Sequence, residues 1–237
     1  GYSSAASDVY KRQLPDSLDF VSLTNADNFS RYDAEDMSVM REKGIKVLYQ
    51  VDYAARSEEL SDATQLGAYL ERVIAAVAAN GLDGYSFTGI PNSSVPARAE
   101  AAALIVSKLS AAKTDGQVLV FEGNPLFVAD ADRAKVDYFV LDTETTTNAT
   151  ELKLQVRNAT EYAAVPAEKL LLAAAASAPL NDEEGVEHVA ITEMAGRVVS
   201  LGPLCGLAAY DIDNDYYDLD MNYKVIRNAI QTLNPSK

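Results

Sequence analysis

From Leu14 onward the chain alternates short apolar runs with longer stretches in which apolar residues recur every three or four positions. The short runs are Leu18–Thr24, Ile45–Tyr53, Leu82–Thr88, Gln117–Glu122, Val136–Asp142, Lys169–Ala176 and Gly206–Ile212. Their near-continuous apolar, β-branched and aromatic content predicts strands buried on both faces. The longer stretches predict helices. In the clearest, Leu66, Tyr69, Leu70, Val73, Ile74 and Val77 form one stripe behind Ser61 or Asp62 as cap. Pro96–Lys113 opens on a first-turn proline, and Asn148–Tyr162, Asp182–Val199 and Asp220–Leu233 repeat the theme. Asp33–Lys43 predicts a shorter helix ended by Gly44, and Leu126–Ala134 only a turn or two.

Strict β-α alternation predicts parallel strands with crossover helices, hence an α/β barrel or an open doubly wound sheet. No Gly-x-Gly-x-x-Gly follows any of the strands, so the dinucleotide-binding form of the open sheet has no support. Parallel barrels take about 250 residues, and a chain of 237 is therefore expected to be one domain. Seven strands are visible, one short of a closed eight. Residues 1–13 form a separate tail, because Asp8-Val9-Tyr10-Lys11-Arg12-Gln13 reads as the in-frame translation of a sequencing-library adapter. The barrel domain is then 14–237. Few or no ladder hydrogen bonds are expected from residues 1–13.

A formal charge of −15 argues against nucleic acid or an anionic membrane surface as partner. No apolar run approaches the roughly 20 residues of a membrane span. Cys205 is alone, which excludes an intramolecular disulfide, and is expected to be a small buried hydrophobe. His188, the only histidine, falls within the helical stretch Asp182–Val199, which disfavours Ser-His-Asp chemistry. No His/Cys cluster has metal-ligand spacing. The run Asp211-Ile212-Asp213-Asn214-Asp215 lacks the glycine and distal glutamate of a calcium loop. Neither a metal nor a cofactor is expected.

In parallel α/β folds the site lies at the carboxyl ends of the strands. Those ends carry Asn25 and Asp27; Gln50, Asp52 and Tyr53; Thr88; Glu122 and Asn124; Asp142 and Thr143; Ser177; and Tyr210, Asp211, Asp213, Asn214, Tyr216 and Tyr217. Such a rim, polar and acidic with interspersed tyrosines, suits a polyhydroxylated ligand. The residues chosen as ligand-binding are Gln50, Tyr53, Glu122, Asn124, Asp142, Tyr210 and Asp211.

Gly81-Leu82-Asp83-Gly84-Tyr85-Ser86-Phe87-Thr88-Gly89-Ile90 resembles the fourth-strand signature D-G-x-D-x-D-x-E of family 18 glycoside hydrolases. Leu14–Leu23 is similar to the second barrel strand of the endo-β-N-acetylglucosaminidase branch, and Lys43–Leu48 to its helix-to-third-strand step. Ala209–Tyr216 is similar to the eighth strand, and Arg227–Ile230 with Leu233–Pro235 resembles Bacteroidetes members of that branch. The order and spacing of these motifs cover nearly all of 14–237. The resemblance implies an α/β, TIM (β/α)8-type barrel with seven strands visible and the first strand, which would precede Leu14, missing. Unpaired edges are then expected on Leu18–Thr24 and Gly206–Ile212.

The resemblance implies substrate-assisted hydrolysis, in which the substrate's N-acetyl oxygen attacks the anomeric carbon. A carboxylic acid must then protonate the leaving oxygen, and a neighbouring carboxylate must orient the acetamido group. Asp83 matches the first aspartate of the signature. Ser86 and Thr88 stand at the next two aspartate positions, and Ile90 stands where the acid glutamate belongs. No Asp or Glu lies between Asp83 and Glu100 to rescue the pattern. The expected function is therefore binding of N-acetylglucosamine-containing glycans, N-glycan or chitin-like, by a catalytically inactive barrel. One alternative is a weak hydrolase with a relocated acid, for which Glu122 and Asp142 are the candidates. Another is an interaction scaffold without a sugar site. The resemblance implies a secreted or outer-surface lipoprotein, and the sequence leaves the oligomeric state open.

Overall fold

A computed structural model of the chain describes residues 2–6, 19–23, 42, 45–92, 96–175 and 178–210. In chain order the strands are β1 Tyr2–Ala6, β2 Asp19–Leu23, β3 Ile45–Asp52, β4 Gly84–Thr88, β5 Val118–Glu122, β6 Tyr138–Val140, β7 Leu170–Ala175, β8 Pro179–Asn181, β9 Glu187–Val189 and β10 Gly206–Tyr210. The helices are α1 Ala63–Asn80, α2 Pro96–Ala112, α3 Asp130–Arg133, α4 Ala149–Arg157 and α5 Ala190–Ser200. The expected helices Asp33–Lys43 and Asp220–Leu233 lie outside the described residues, apart from Glu42. So do the acidic run 211–215 and Asp211 itself.

Helix boundaries follow local chemistry. Asp62 caps α1 by accepting from the Thr64 and Gln65 amides, and Gly81 ends it in the left-handed region at φ 61°. Asn148 caps α4 by accepting from the Glu151 amide, and a π-helical turn, Asn158–Tyr162, prolongs that helix. Within α1 the buried residues are Leu66, Tyr69, Leu70, Val73 and Val77, the apolar stripe of the sequence.

The chain forms two compact units. One comprises 22–139 and contains the adjacent strands β3, β4 and β5. Here β3, β4 and β5 are parallel, with Gln50 opposite Ser86 and Ser86 opposite Val120. One row further, Asp52, Thr88 and Glu122 are aligned. Residues aligned on parallel strands share a face, and residues two apart along a strand share it too. Gln50, Asp52, Ser86, Thr88, Val120 and Glu122 therefore point to one side. The other side carries Tyr49, Val51, Tyr85, Phe87, Leu119 and Phe121, all buried. The Phe87 and Phe121 rings sit 4.8 Å apart there, and Phe139 meets Phe121 edge-on at 6.2 Å.

Aspartates bind the amino ends of these strands together. Asp83 Oδ2 accepts from the Val47 amide at 2.8 Å while the Asp83 amide donates to the Val47 carbonyl. Asp137 repeats the device: its Oδ2 accepts from the Leu119 amide at 2.8 Å, and its own amide donates to the Leu119 carbonyl.

The second unit comprises 1–21 and 140–237. In it β10 lies parallel to β7, from Gly206 opposite Leu171 to Tyr210 opposite Ala175. The Thr143 hydroxyl, fully buried, donates to the Ala173 carbonyl at 2.6 Å and accepts from the Ala173 amide at 2.8 Å.

Two expectations are corrected in this unit. Residues 2–6 do form ladder pairs, and the Gly206–Ile212 edge expected to be unpaired is filled: β1 runs antiparallel along β10, with Ser4, Ala5 and Ala6 opposite Ala209, Ala208 and Leu207. A strand edge is a row of backbone donors and acceptors, and any extended segment can satisfy it whatever its side chains. The antiparallel sense differs from the parallel first strand that a barrel repeat supplies. The helix expected over Asp182–Val199 begins only at Ala190, and an antiparallel hairpin of β8 and β9 precedes it. Gly185 (φ 81°) favours that turn, and Asp182 organises it by accepting from the Glu184 and Val186 amides. His188 thus lies on a strand.

Candidate functional site

At the carboxyl ends of β3–β5 the shared face becomes polar. Gln50 Nε2 donates to Glu122 Oε2 at 2.5 Å, reaching from β3 to β5 across β4. Both side chains are largely buried, at 8% and 6% exposure. Ser86, one row deeper on β4, is completely buried, and its hydroxyl has no hydrogen-bond partner. The Thr88 hydroxyl donates to the Glu122 carbonyl at 2.8 Å, so it serves the backbone.

Beyond Thr88 the chain turns tightly. Gly89 has φ 74°, and a Cβ there would meet the Ala54 amide nitrogen at 2.5 Å and Asp52 Oδ1 at 2.6 Å. No side chain fits this approach. Ile90 follows it and is buried at 7% exposure. Asp52 Oδ1 accepts from the Ala55 amide at 3.2 Å, holding the 3-10 turn Ala54–Arg56. Tyr53 is also buried, and its amide donates to the Thr88 carbonyl at 3.0 Å. Stacking through its face requires the ring to turn outward.

The unit 22–139 thus brings Gln50, Ser86, Thr88 and Glu122 onto one face, with Tyr53 and Ile90 at its border. Asn124 follows β5 and caps the 3-10 turn Pro125–Phe127 through its Oδ1, 3.0 Å from the Leu126 amide. Asp83 belongs to the opposite, amino end of the strands and is engaged with β3. In the other unit Asp142 is exposed at the end of β6, and the Tyr210 backbone closes β10. Asp52, outside the expected ligand set, stands at the same strand end. Its alignment with Thr88 and Glu122 comes from strand register, which composition alone does not reveal.

Among the described residues no group of three or more His, Cys, Asp or Glu could hold a metal ion. No described helix is long and apolar enough to cross a membrane. Cys205 is buried at 2% exposure, and burial pushes its thiol up to about 12.

No protein-family model matches the sequence, and neither does any curated protein sequence. Solved structures do match the fold. An endo-β-N-acetylglucosaminidase of Cordyceps militaris aligns at TM-score 0.65 and 15% identity, over 91% of this chain and 80% of that one. A glycoside hydrolase family 18 N-acetylglucosaminidase of Paenibacillus barengoltzii aligns at 0.63 and 15%, over 83% and 85%. A chitinase-like agglutinin of Robinia pseudoacacia aligns at 0.66 and 12%, over 90% and 88%. Likeness at these identities establishes the fold, an α/β barrel of the kind found in family 18 glycoside hydrolases.

Proposed function

We propose, from this shared fold, that the chain binds glycans containing N-acetylglucosamine, of N-glycan or chitin-like type, without cleaving them. The observation that carries the reading is the end of β4. Thr88 has its hydroxyl committed to a backbone carbonyl, and buried Ile90 has no proton to give. Hydrolysis of a glycosidic bond needs a carboxylic acid within hydrogen-bond reach of the leaving oxygen. Loss of such an acid costs on the order of 10²–10⁴ in rate. The Gln50–Glu122 pair and Asn124 carry groups suited to sugar hydroxyls and amides. The fold neighbours include both hydrolases and an agglutinin, so the fold is compatible with either outcome.

A second reading makes Glu122 a relocated acid. It is favoured by the position of that carboxyl on the same strand face as Thr88, one strand over. A glycan array combined with product analysis on chitin oligomers and chitobiose-core glycans separates the readings. Bound, intact glycan supports the proposal. Cleavage abolished by Glu122→Gln supports the relocated acid. No binding by folded protein removes the sugar site altogether.

A further inference from the structure

The hairpin of β8 and β9 follows the carboxyl end of β7 and is tied to the loop after β6. The Asn181 amide donates to the Thr147 carbonyl at 2.9 Å, and Asn148 and Asn181 form a parallel bridge. It therefore braces the strand end at which parallel α/β folds hold their ligands. One carboxylate organises its turn. Asp182 Oδ1 accepts from the Glu184 and Val186 amides, both at 2.9 Å. Its other oxygen, Oδ2, meets His188 Nε2 at 2.9 Å, and His188 Nδ1 faces Glu193 Oε2 on α5 at 3.8 Å. The imidazole stands between the carboxylate of the turn and a carboxylate of the helix.

We propose that this hairpin is a proton-controlled clasp: charged His188 holds it to α5, and neutral His188 loosens it. The surrounding charges favour that behaviour. The hairpin contributes Asp182, Glu183, Glu184 and Glu187. Helix α5 contributes Glu193 and Arg197, and α4 contributes Lys153. The two cations are already occupied. Arg197 takes Glu183 through both terminal nitrogens, at 2.5 and 2.7 Å, and Glu193 through Nε at 3.1 Å. Lys153 takes Glu183 at 2.6 Å. Only a protonated His188 can donate from both ring nitrogens and attract Asp182 and Glu193 together.

The hydrogen bond to Asp182 raises the His188 pKa, and the same bond lowers that of Asp182. A raised histidine contributes fully below its unfolded value of about 6.5, and its contribution is lost as pH rises through the folded value. A depressed aspartate contributes above about 3.9 and is lost as pH falls. The clasp is therefore tightest between roughly pH 4 and 6.5.

Because His188 is the only histidine, its ring proton can be followed unambiguously by NMR titration. Amide exchange over 179–189, corrected for intrinsic rates, is compared at pH 6 and pH 8. The expected result is titration above 6.5 and faster hairpin exchange at pH 8. The effect is limited to about tenfold for each unit by which the His188 pKa is raised. Asp182→Asn should bring the titration down. His188→Gln, which leaves the Asp182 turn intact, should make hairpin exchange independent of pH. Unchanged exchange between the two pH values in the native protein overturns the proposal, as does an unaltered pH dependence in His188→Gln.

Discussion

The hydroxyl of Ser86 and the amide of Gln50 sit in adjacent rows of one sheet face, and opposite consequences follow from removing them. An orphaned buried hydroxyl costs about 1–3 kcal/mol of desolvation. Ser86→Ala is accordingly expected to keep or raise stability, by about 1 kcal/mol. A fall in the urea midpoint would show that the hydroxyl has a partner. Gln50→Leu instead takes a donor from the buried Glu122 carboxylate. Losing one buried hydrogen bond costs about 0.5–1.5 kcal/mol, and a loss of that size is expected in the same urea titration. At Cys205 the burial that pushes the thiol up to about 12 keeps it as the unreactive thiol form. A thiol reagent at pH 8 should label it only at the rate of unfolding.

Between strands, the paired aspartate devices show how a motif residue can be structural. Asp83 binds β3 to β4 in the geometry by which Asp137 binds β5 to β6, so position in the sheet accounts for its presence. Asp83→Ala is expected to lower stability by about 1.5–3 kcal/mol while leaving glycan binding unchanged in the folded fraction. Asp83→Asn keeps an acceptor oxygen and should cost less. Binding lost in a fully folded Asp83→Asn would assign this residue to the site instead. Helix α1 illustrates the same economy of cause, since one capping aspartate and one left-handed glycine fix both of its ends. The stretch Asp182–Val199 has helical apolar spacing because the pattern of α5 continues backward into it. The turn signals at Asp182 and Gly185 outweigh that spacing once Asp182 accepts two backbone amides.

For the molecule as a whole, the strand edge of β10 is the feature with the largest consequence. Its pairing with β1 is made by backbone groups, in an antiparallel sense. Removing residues 1–6 would leave that row of donors and acceptors unpaired. The shortened chain is expected to unfold at lower denaturant and to associate with rising concentration. Both effects are readable by urea titration and size-exclusion chromatography. A monomer of unchanged stability would show that the pairing contributes nothing.

Much of this architecture was determined by the sequence alone. Runs of buried-strand composition mark β3, β5 and β7 to within a residue or two at each end, because both faces of a parallel strand must be apolar. The stripe of α1 and its cap were equally legible, being local in the chain. The tertiary structure decided what depends on strands meeting. Gln50 and Glu122 are 72 residues apart, and only the register of β3, β4 and β5 brings them into contact. The same register leaves Ser86 without a partner and commits Thr88 to a carbonyl. The sense of β1 likewise depends on which edge was available, a property of the assembled sheet that no local pattern encodes.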